Sequence, residues 1–325
     1  MASLSFAQPT YSLLYRGNSI NGWLSAFLSY TALRGQGVAA AFYPLCGHRV
    51  VTEKEVTSWK GSHILMLDMD AGTGLEKNKE TLLSGGALSV EVIAADPSGE
   101  ISTVVEVWRR WYGAAEVPFW LVSMDRIIRW ADPCWEDRCL REVLLPVAHM
   151  PPQDALRATE AFMTWTMNPT GAEFQGLLTQ GQDRLLEKDK ALCIYLCAQG
   201  LVHEITASDA EAWGLSPEWV GMKAYLLDNT DTVLDTNEAA HLIFMNNPSV
   251  GIFVNYRKKV RKEAVGAGTM MRKLGVVYAY SARSKAFDLT TGGFFQGRAG
   301  SAGAQVPVGR EVMPFVPFVS EIMNI

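Results

Sequence analysis

Three short stretches hold side chains suited to metal or phosphate chemistry. The first is RGNSING, residues 16–22, a polar turn between an apolar run and a helical pattern. It offers Asn18, Ser19 and Asn21 but no carboxylate. The second is LDMD, residues 67–70, where Asp68 and Asp70 close an apolar run two residues apart, on one face of a strand end. The third is SMDRIIRW, with Asp125 four residues before Arg129 and next to Arg126. Carboxylate oxygens are the natural ligands of hard divalent cations. A reactive pair of such ions, about 4 Å apart, needs several anionic and imidazole donors. The histidines are His48, His63, His149, His203 and His241, none four residues from another. His48 and His63 are the two nearest the Asp68 segment. The alternatives for Asp68 and Asp70 are a solvated strand end or a helix N-cap; for Asp125, an ion pair with Arg126 or Arg129.

The C-terminal third carries groups of another kind. Arg283 lies in SARSK, and Gly292, Gly293, Gly297 and Gly303 space out a loop that also holds Arg298. Backbone N–H groups exposed by such glycines can form an anion nest, and a guanidinium fork matches phosphate oxygens. The same glycines also suit tight turns. Between them and the second half of the chain runs YRKKVRKEAVGAGTMMRK. Here Arg257, Lys258, Lys259, Arg261, Lys262, Arg272 and Lys273 stand against Glu263 alone. That local field suits nucleic acid or an acidic protein surface, and equally a solvated loop. No aromatic is interleaved after Tyr256, so a stacking platform for single strands is not indicated.

The elements that must position these groups follow from apolar patterning. YSLLYRG, GVAAAFYPL, SHILMLDMD and LSVEVIAAD are near-continuous apolar runs with helical segments between them. Such runs predict a parallel sheet covered on both faces. The helix after the first run places Trp23, Ala26, Phe27, Tyr30 and Leu33 on one face. Further helices are expected over EISTVVEVWRRWYG, begun near Ser98, and over EVPFWLVSMDRIIRW. A third is expected over PCWEDRCLREVLLPVAH, with Pro133 in its first turn. Strands are expected at LVHEITA, MKAYLLDN, SVGIFVNYR and LGVVYAYSAR, with a helix around TNEAAHLIFMNN. The last two strands bracket the basic run as a hairpin with a long tip. The expected organisation is an α/β domain over 1–150, a helical connector over 151–200 and a smaller α/β domain over 201–325.

Read together, these segments resemble the DHH family of phosphoesterases, with a DHH domain followed by a DHH-associated domain. LLYRGNSINGWLSAF resembles the family's first strand and turn, His-Gly-Asn-x-x-Asp-Gly, and ILMLDMD its second metal strand. PSGEISTVVEVWRRWYGAAEVPFWLVSMDRIIRW resembles its Ser-Gly helix and later acidic helix. YAYSARSKAFDLTTGGFFQGRAGSAGAQVPV resembles the Arg-Ser turn and glycine-rich loop of the associated domain. The resemblance implies two Mn²⁺ ions hydrolysing phosphodiesters of short oligonucleotides or cyclic dinucleotides, with Arg283 on a phosphate. Yet Arg16 stands where the family has His, Asn21 where it has Asp, and Arg298 where its last loop has His. No Asp-His-His element follows Asp68.

The expectation is therefore a catalytically inactive relative with no metal cofactor, serving as a structural or interaction component with protein partners. SMDRIIRWADP and EDRCLRE resemble copies in large DNA viruses, which implies a place in a viral assembly. The alternative is a divergent Mn-dependent phosphodiesterase using Asp68, Asp70 and Asp125. A third reading is a nucleotide- or oligonucleotide-binding module without hydrolysis, acting through Arg283, Gly292, Gly293, Arg298 and Gly303. The net charge of −5 argues against a generally basic coat. No apolar run reaches the roughly 18 residues of a membrane span, and the first residues lack the order of a secretory signal. Five cysteines without a C-x-x-C pair predict reduced, buried thiols in an intracellular setting or a virus particle.

Overall fold

The computed structural model describes residues 11–45, 50–69, 73–96, 99–213, 217–228, 235–264, 271–284, 296–298 and 301–307. The chain forms two compact units, Met1–Leu186 and Glu187–Ile325.

In the first unit, β1 (Tyr11–Arg16), β2 (Ala40–Leu45), β3 (His63–Leu67) and β4 (Ser89–Ile93) make an all-parallel sheet in the order β2-β1-β3-β4. Strand alternation divides its side chains cleanly. Leu13, Tyr15, Leu65, Leu67 and Ile93 face one core, with α1 (Ile20–Gly35) and five later helices. Leu14, Ile64 and Met66 face the other, against α2 (Glu53–Val56), Trp59 and α3 (Thr73–Ser84). Both faces are covered, which is why the strands read as unbroken apolar runs rather than alternating ones.

The helices on the first face are α1, α4 (Thr103–Tyr112), α5 (Phe119–Arg129), α6 (Trp135–Leu144), α7 (Pro152–Thr166) and the start of α8 (Ala172–Gln199), through Phe174 and Leu177. Three expectations are corrected here. α4 starts at Thr103 behind the cap residue Ser102, not near Ser98. α6 starts at Trp135 behind Cys134, which leaves Pro133 outside the first turn. And α1 is not a one-faced helix: besides Trp23, Ala26, Phe27 and Leu33 it buries Leu24, Ser25, Leu28 and Ser29. From Ile20 to Ser29 it lies between the sheet and a second layer of helices and offers no face to water, and only its last turn, with Thr31 and Arg34, is exposed. Two of its buried polar groups are paired across to that layer, while the buried Ser25 Oγ has no hydrogen-bond partner among the described residues. Trp23 Nε1 donates to Thr159 Oγ1 of α7 at 2.8 Å, and Trp111 Nε1 of α4 donates to Ser29 Oγ at 3.1 Å.

α8 (Ala172–Gln199) runs 28 residues, its first half in the first unit and its second half in the other. The second unit continues through β5 (Gly200–Glu204), α9 (Ala207–Trp213), β6 (Lys223–Asp228) and α10 (Thr236–Asn246). It ends in β7 (Val250–Ala264), β8 (Met271–Ser284), β9 (Gln296–Arg298) and β10 (Ser301–Pro307). Its mixed sheet has the order β5-β6-β7-β8-β10-β9, with only β6 and β7 parallel. Tyr225, Leu227 and Phe253 pack there on Ala239, Ala240 and Ile243 of α10. The fold class is α/β in both units, as the apolar patterning predicts.

The basic run is not a long tip. β7 continues to Ala264 and β8 resumes at Met271, paired as far out as Ala264 opposite Met271. The valines Val260, Val276 and Val277 sit inside this pairing, and cross-strand hydrogen bonding overrides the loop-like composition. The cysteine expectation is also corrected. Of the four thiols among the described residues only Cys139 is buried; Cys193 is half-buried, and Cys134 and Cys197 are exposed. The latter two sit at a helix cap and on the outer side of α8, where packing does not reach. Burial pushes the Cys139 thiol up to about 11.

Candidate functional site

The order β2-β1-β3-β4 creates a switch point. From β1 the chain passes through α1 on one face, and from β3 through α3 on the other. The segments leaving the ends of β1 and β3 therefore part, and open α/β sheets bind ligands in that crevice. Asn18 and Asp68 stand just past those strand ends, and both adopt the left-handed conformation, with φ 59° and 55°. Asn and Asp are the non-glycine residues that tolerate this region best.

Asp68 is enclosed by neutral donors. Ser19 Oγ donates to its Oδ2 at 2.9 Å, and Asn21 Nδ2 donates to Oδ1 at 2.5 Å. Thr103 Oγ1 makes a longer bond to Oδ1 at 3.4 Å. Ser19 is also the N-cap of α1, accepting from Gly22 N–H at 3.2 Å. Asn21 works in both directions, because its Oδ1 accepts from Val104 N–H of α4 at 3.0 Å. The amide thus ties the loop after β3 to the first turn of α4. An Asp at position 21 could accept from Val104, but would set a second carboxylate against Asp68. Burial raises the Asp68 carboxyl above its ordinary value of 3.8; the Ser19 bond, the charge of Arg16 and the Asn21 and Thr103 bonds oppose it.

Gly22 completes the corner. A Cβ there would lie 2.2 Å from the carbonyl oxygen of Arg16, so only glycine lets α1 turn back this closely on β1.

Asp125 reaches the same helix start from the other side. Its Oδ1 accepts from Ser102 N–H at 2.8 Å, and Arg129 pairs with its Oδ2 at 2.7 Å. Arg126, the other partner considered, forks instead onto the fully buried Asp137 at 2.7 and 2.8 Å. So Asp68 and Asp125 converge on adjacent residues at the start of α4, the first helical residue Thr103 and the cap Ser102, each with both oxygens engaged. Asp70 and His48 lie outside the described residues. His63 stands at the opposite, N-terminal end of β3, its Nδ1 2.8 Å from Ser89 Oγ. Among the described residues no three His, Cys, Asp or Glu side chains group as a metal site would.

In the second unit the cross-strand register sets Arg283, Ser301 and Arg298 opposite one another on β8, β10 and β9. Gly303 follows opposite Ser281. Gly292 and Gly293 lie outside the described residues. Arg283 Nε donates to Asn237 Oδ1 in the first turn of α10. Its guanidinium is pulled below its ordinary range by burial, against the charge of Asp235. Asn255, almost fully buried, donates to Thr236 Oγ1 at 3.3 Å and leaves its Oδ1 unpartnered. Asp235 itself caps α10, accepting from Asn237 and Glu238 N–H at 3.0 and 3.4 Å. Sequence reasoning missed Thr103, Asn237 and Asn255. Only Asn21 carried a signal, as the amide standing in a carboxylate's place.

No family model matches the chain, and no curated protein does. Among solved structures it is similar to a pGpG-specific phosphodiesterase, PggH, from Vibrio cholerae. Identity is 11% and the TM-score 0.42, over 97% of this chain and 99% of that one. It is similar to an exopolyphosphatase-related protein from Bacteroides fragilis, at 12% identity and TM-score 0.38, over 98% and 91%. It is also similar to the exonuclease RecJ bound to manganese, at 13% and 0.38, over 92% and 86%. The likeness is one of overall fold, and no residue's role is taken from it.

Proposed function

We propose that this chain works by binding and not by hydrolysis: a structural or interaction component built on a phosphoesterase-like frame. The observation that carries this reading is the engagement of Asp68. Its two oxygens serve three neutral donors, and the amide of Asn21 occupies the place from which a second carboxylate would reach a metal. Asp125 is likewise spent, on a backbone N–H and on Arg129. The two-ion Mn²⁺ site that the fold resemblance implies does not fit this donor set. An amide brings no charge, Arg16 brings one of the wrong sign, and among the described residues no three His, Cys, Asp or Glu side chains group around Asp68 as a metal site would.

The test is turnover. Purified protein with Mn²⁺ and either bis-p-nitrophenyl phosphate or a short dinucleotide should release product no faster than a blank. Metal-dependent release that Asp68→Ala abolishes would reject the proposal.

A second reading, phosphate binding by the C-terminal sheet, is supported by the row of Arg283, Ser301 and Arg298 across three strands. Two arginine positions in register with a serine suit a phosphate. Asp235 at the start of α10 works against it. A thermal shift with short oligonucleotides, lost in Arg298→Ala, is expected. A shift that persists in that variant contradicts this row as the site.

A further inference from the structure

The last two turns of α8 set two thiols on one face. Cys193 and Cys197 are four residues apart in a continuous helix, a spacing that makes them neighbours with Cβ atoms about 5–6 Å apart. Burial raises the Cys193 thiol, and the charges of Asp189 and Cys197 raise it further. The Tyr225 hydroxyl of β6 stands beside both thiols, pushed up to about 12 chiefly by burial and then by Cys197 and Cys193. The same hydroxyl fixes the helix between them. Leu196 carries one of the final carbonyls of α8, which lack a partner within the helix, and Tyr225 donates to it at 2.7 Å. Gly200 leaves room for this contact, because a Cβ there would collide with the Tyr225 ring.

Packing does not account for this pair. Cysteine is among the most buried residue types, yet Cys197 is exposed, and Cys193 is half-buried with one side against the core under α10. A disulfide does not account for it either, since that bond needs Cβ atoms about 3.8 Å apart and a continuous helix holds them further away. A structural zinc site takes four ligands. Asp189, on the same face, precedes Cys197 by eight residues, about 12 Å along the axis, too far to share an ion with it. Among the described residues no three His, Cys, Asp or Glu side chains group there. What the helix presents is two sulfurs, held on a rigid backbone and open to solvent on the Cys197 side.

We propose that Cys193 and Cys197 form a two-coordinate site for a soft monovalent cation, Cu(I). Thiolates select soft ions over hard ones, and two sulfurs complete the linear coordination that a filled-shell monovalent cation accepts. At ~2.3 Å per metal–sulfur bond the two sulfurs stand about 4.6 Å apart, a span that Cβ atoms about 5–6 Å apart can bridge. Each thiol exchanges its proton for a bond to the metal. The protons go to solvent, and copper stays Cu(I) throughout. Entry is from the Cys197 side, and the packed side of Cys193 shields the bound ion. The site lies wholly in the second unit, and the inference holds whether or not the first unit turns over a substrate.

The experiment is an anaerobic titration of the full, reduced chain with Cu(I) held by bicinchoninate, a chelator that is coloured while it carries the ion. The chain should withdraw about one Cu(I) from it. Cys197→Ser, at an exposed position, should lose that withdrawal with an unchanged circular dichroism spectrum, and Cys193→Ser should lose it too. Cys134→Ser, on another helix, should keep it. Excess Mn²⁺, a hard cation, should displace none of the copper. Alkylation by iodoacetamide, read by mass spectrometry, is the second measurement: Cu(I) should protect Cys193 and Cys197 and leave Cys134 reactive. Should Cys193→Ser misfold, Cys197→Ser and the alkylation pattern decide. The inference is overturned by no withdrawal in the parent, by equal withdrawal in folded Cys197→Ser, or by protection that omits either thiol. Zinc held by the same thiols with dimerisation of the chain, in place of Cu(I), also overturns it, because the site would then be a four-thiolate one shared between two copies.

Discussion

Asn21 is the residue on which the first unit's chemistry turns. Its amide donates to Asp68 and accepts from Val104 N–H, a pairing that no carboxylate at that position reproduces. Asn21→Asp should therefore destabilise the fold at pH 7 by about 2 kcal/mol, through charge repulsion and a lost bond. Acidification should recover the loss, and denaturant unfolding at several pH values measures both. Asp68 gives the complementary prediction. Its carboxyl is raised on folding, chiefly by burial, so it supports the fold most below its ordinary value of 3.8. That contribution is given up as the pH climbs through the raised value. Asp68→Asn keeps an acceptor for Asn21 and removes the buried charge. The variant should match or exceed the parent in stability at pH 7, with the difference narrowing towards pH 4. An Asp68→Asn variant much less stable than the parent at pH 7 would contradict the description of Asp68 as a hydrogen-bond anchor. Asp137 behaves oppositely. Burial alone would raise it, but the fork from Arg126 prevails and holds it low. Its stabilisation is present at neutral pH and is lost as the pH falls into the carboxylate range.

At the scale of elements, close approach is what the glycines permit. Gly22 lets α1 fold back on the end of β1, and Gly181 lets α8 lie against α6, where a Cβ would meet the Cys139 carbonyl oxygen at 2.1 Å. In both cases the obstacle is backbone, which cannot swing away. Gly22→Ala and Gly181→Ala should each cost about 1–3 kcal/mol. Gly176, five residues earlier in α8, has open space around it. Gly176→Ala should stabilise by about 0.5–1 kcal/mol through helix propensity. Thermal unfolding of the three variants separates close packing from propensity within a single measurement. A Gly181→Ala variant as stable as Gly176→Ala would show that α8 and α6 are not packed as described.

Over the whole molecule, what the sequence displayed was what local patterning can encode. Unbroken apolar runs such as HILML announced strands buried on both sides, and Asn21 in place of a carboxylate announced a site short of charge. The polar partners were not legible. Thr103 bonds Asp68 across 35 positions and Asn21 bonds Val104 across 83, and pairings at that distance leave no periodic trace. α1 was misread for a related reason: its outer layer, α4 and α7, comes from residues 68 or more positions downstream of its own end. The basic hairpin was misread because lysine and arginine suit a loop and an exposed ribbon equally, and only the register separates the two. The central claim is that the corner formed by Asn21 and Asp68 is a hydrogen-bond clamp and not a seat for divalent ions. The most direct test is the metal content of the native, extensively dialysed protein by mass spectrometry. The clamp predicts no divalent ion in stoichiometric amount; two retained manganese ions per chain, lost in Asp68→Asn, would contradict it.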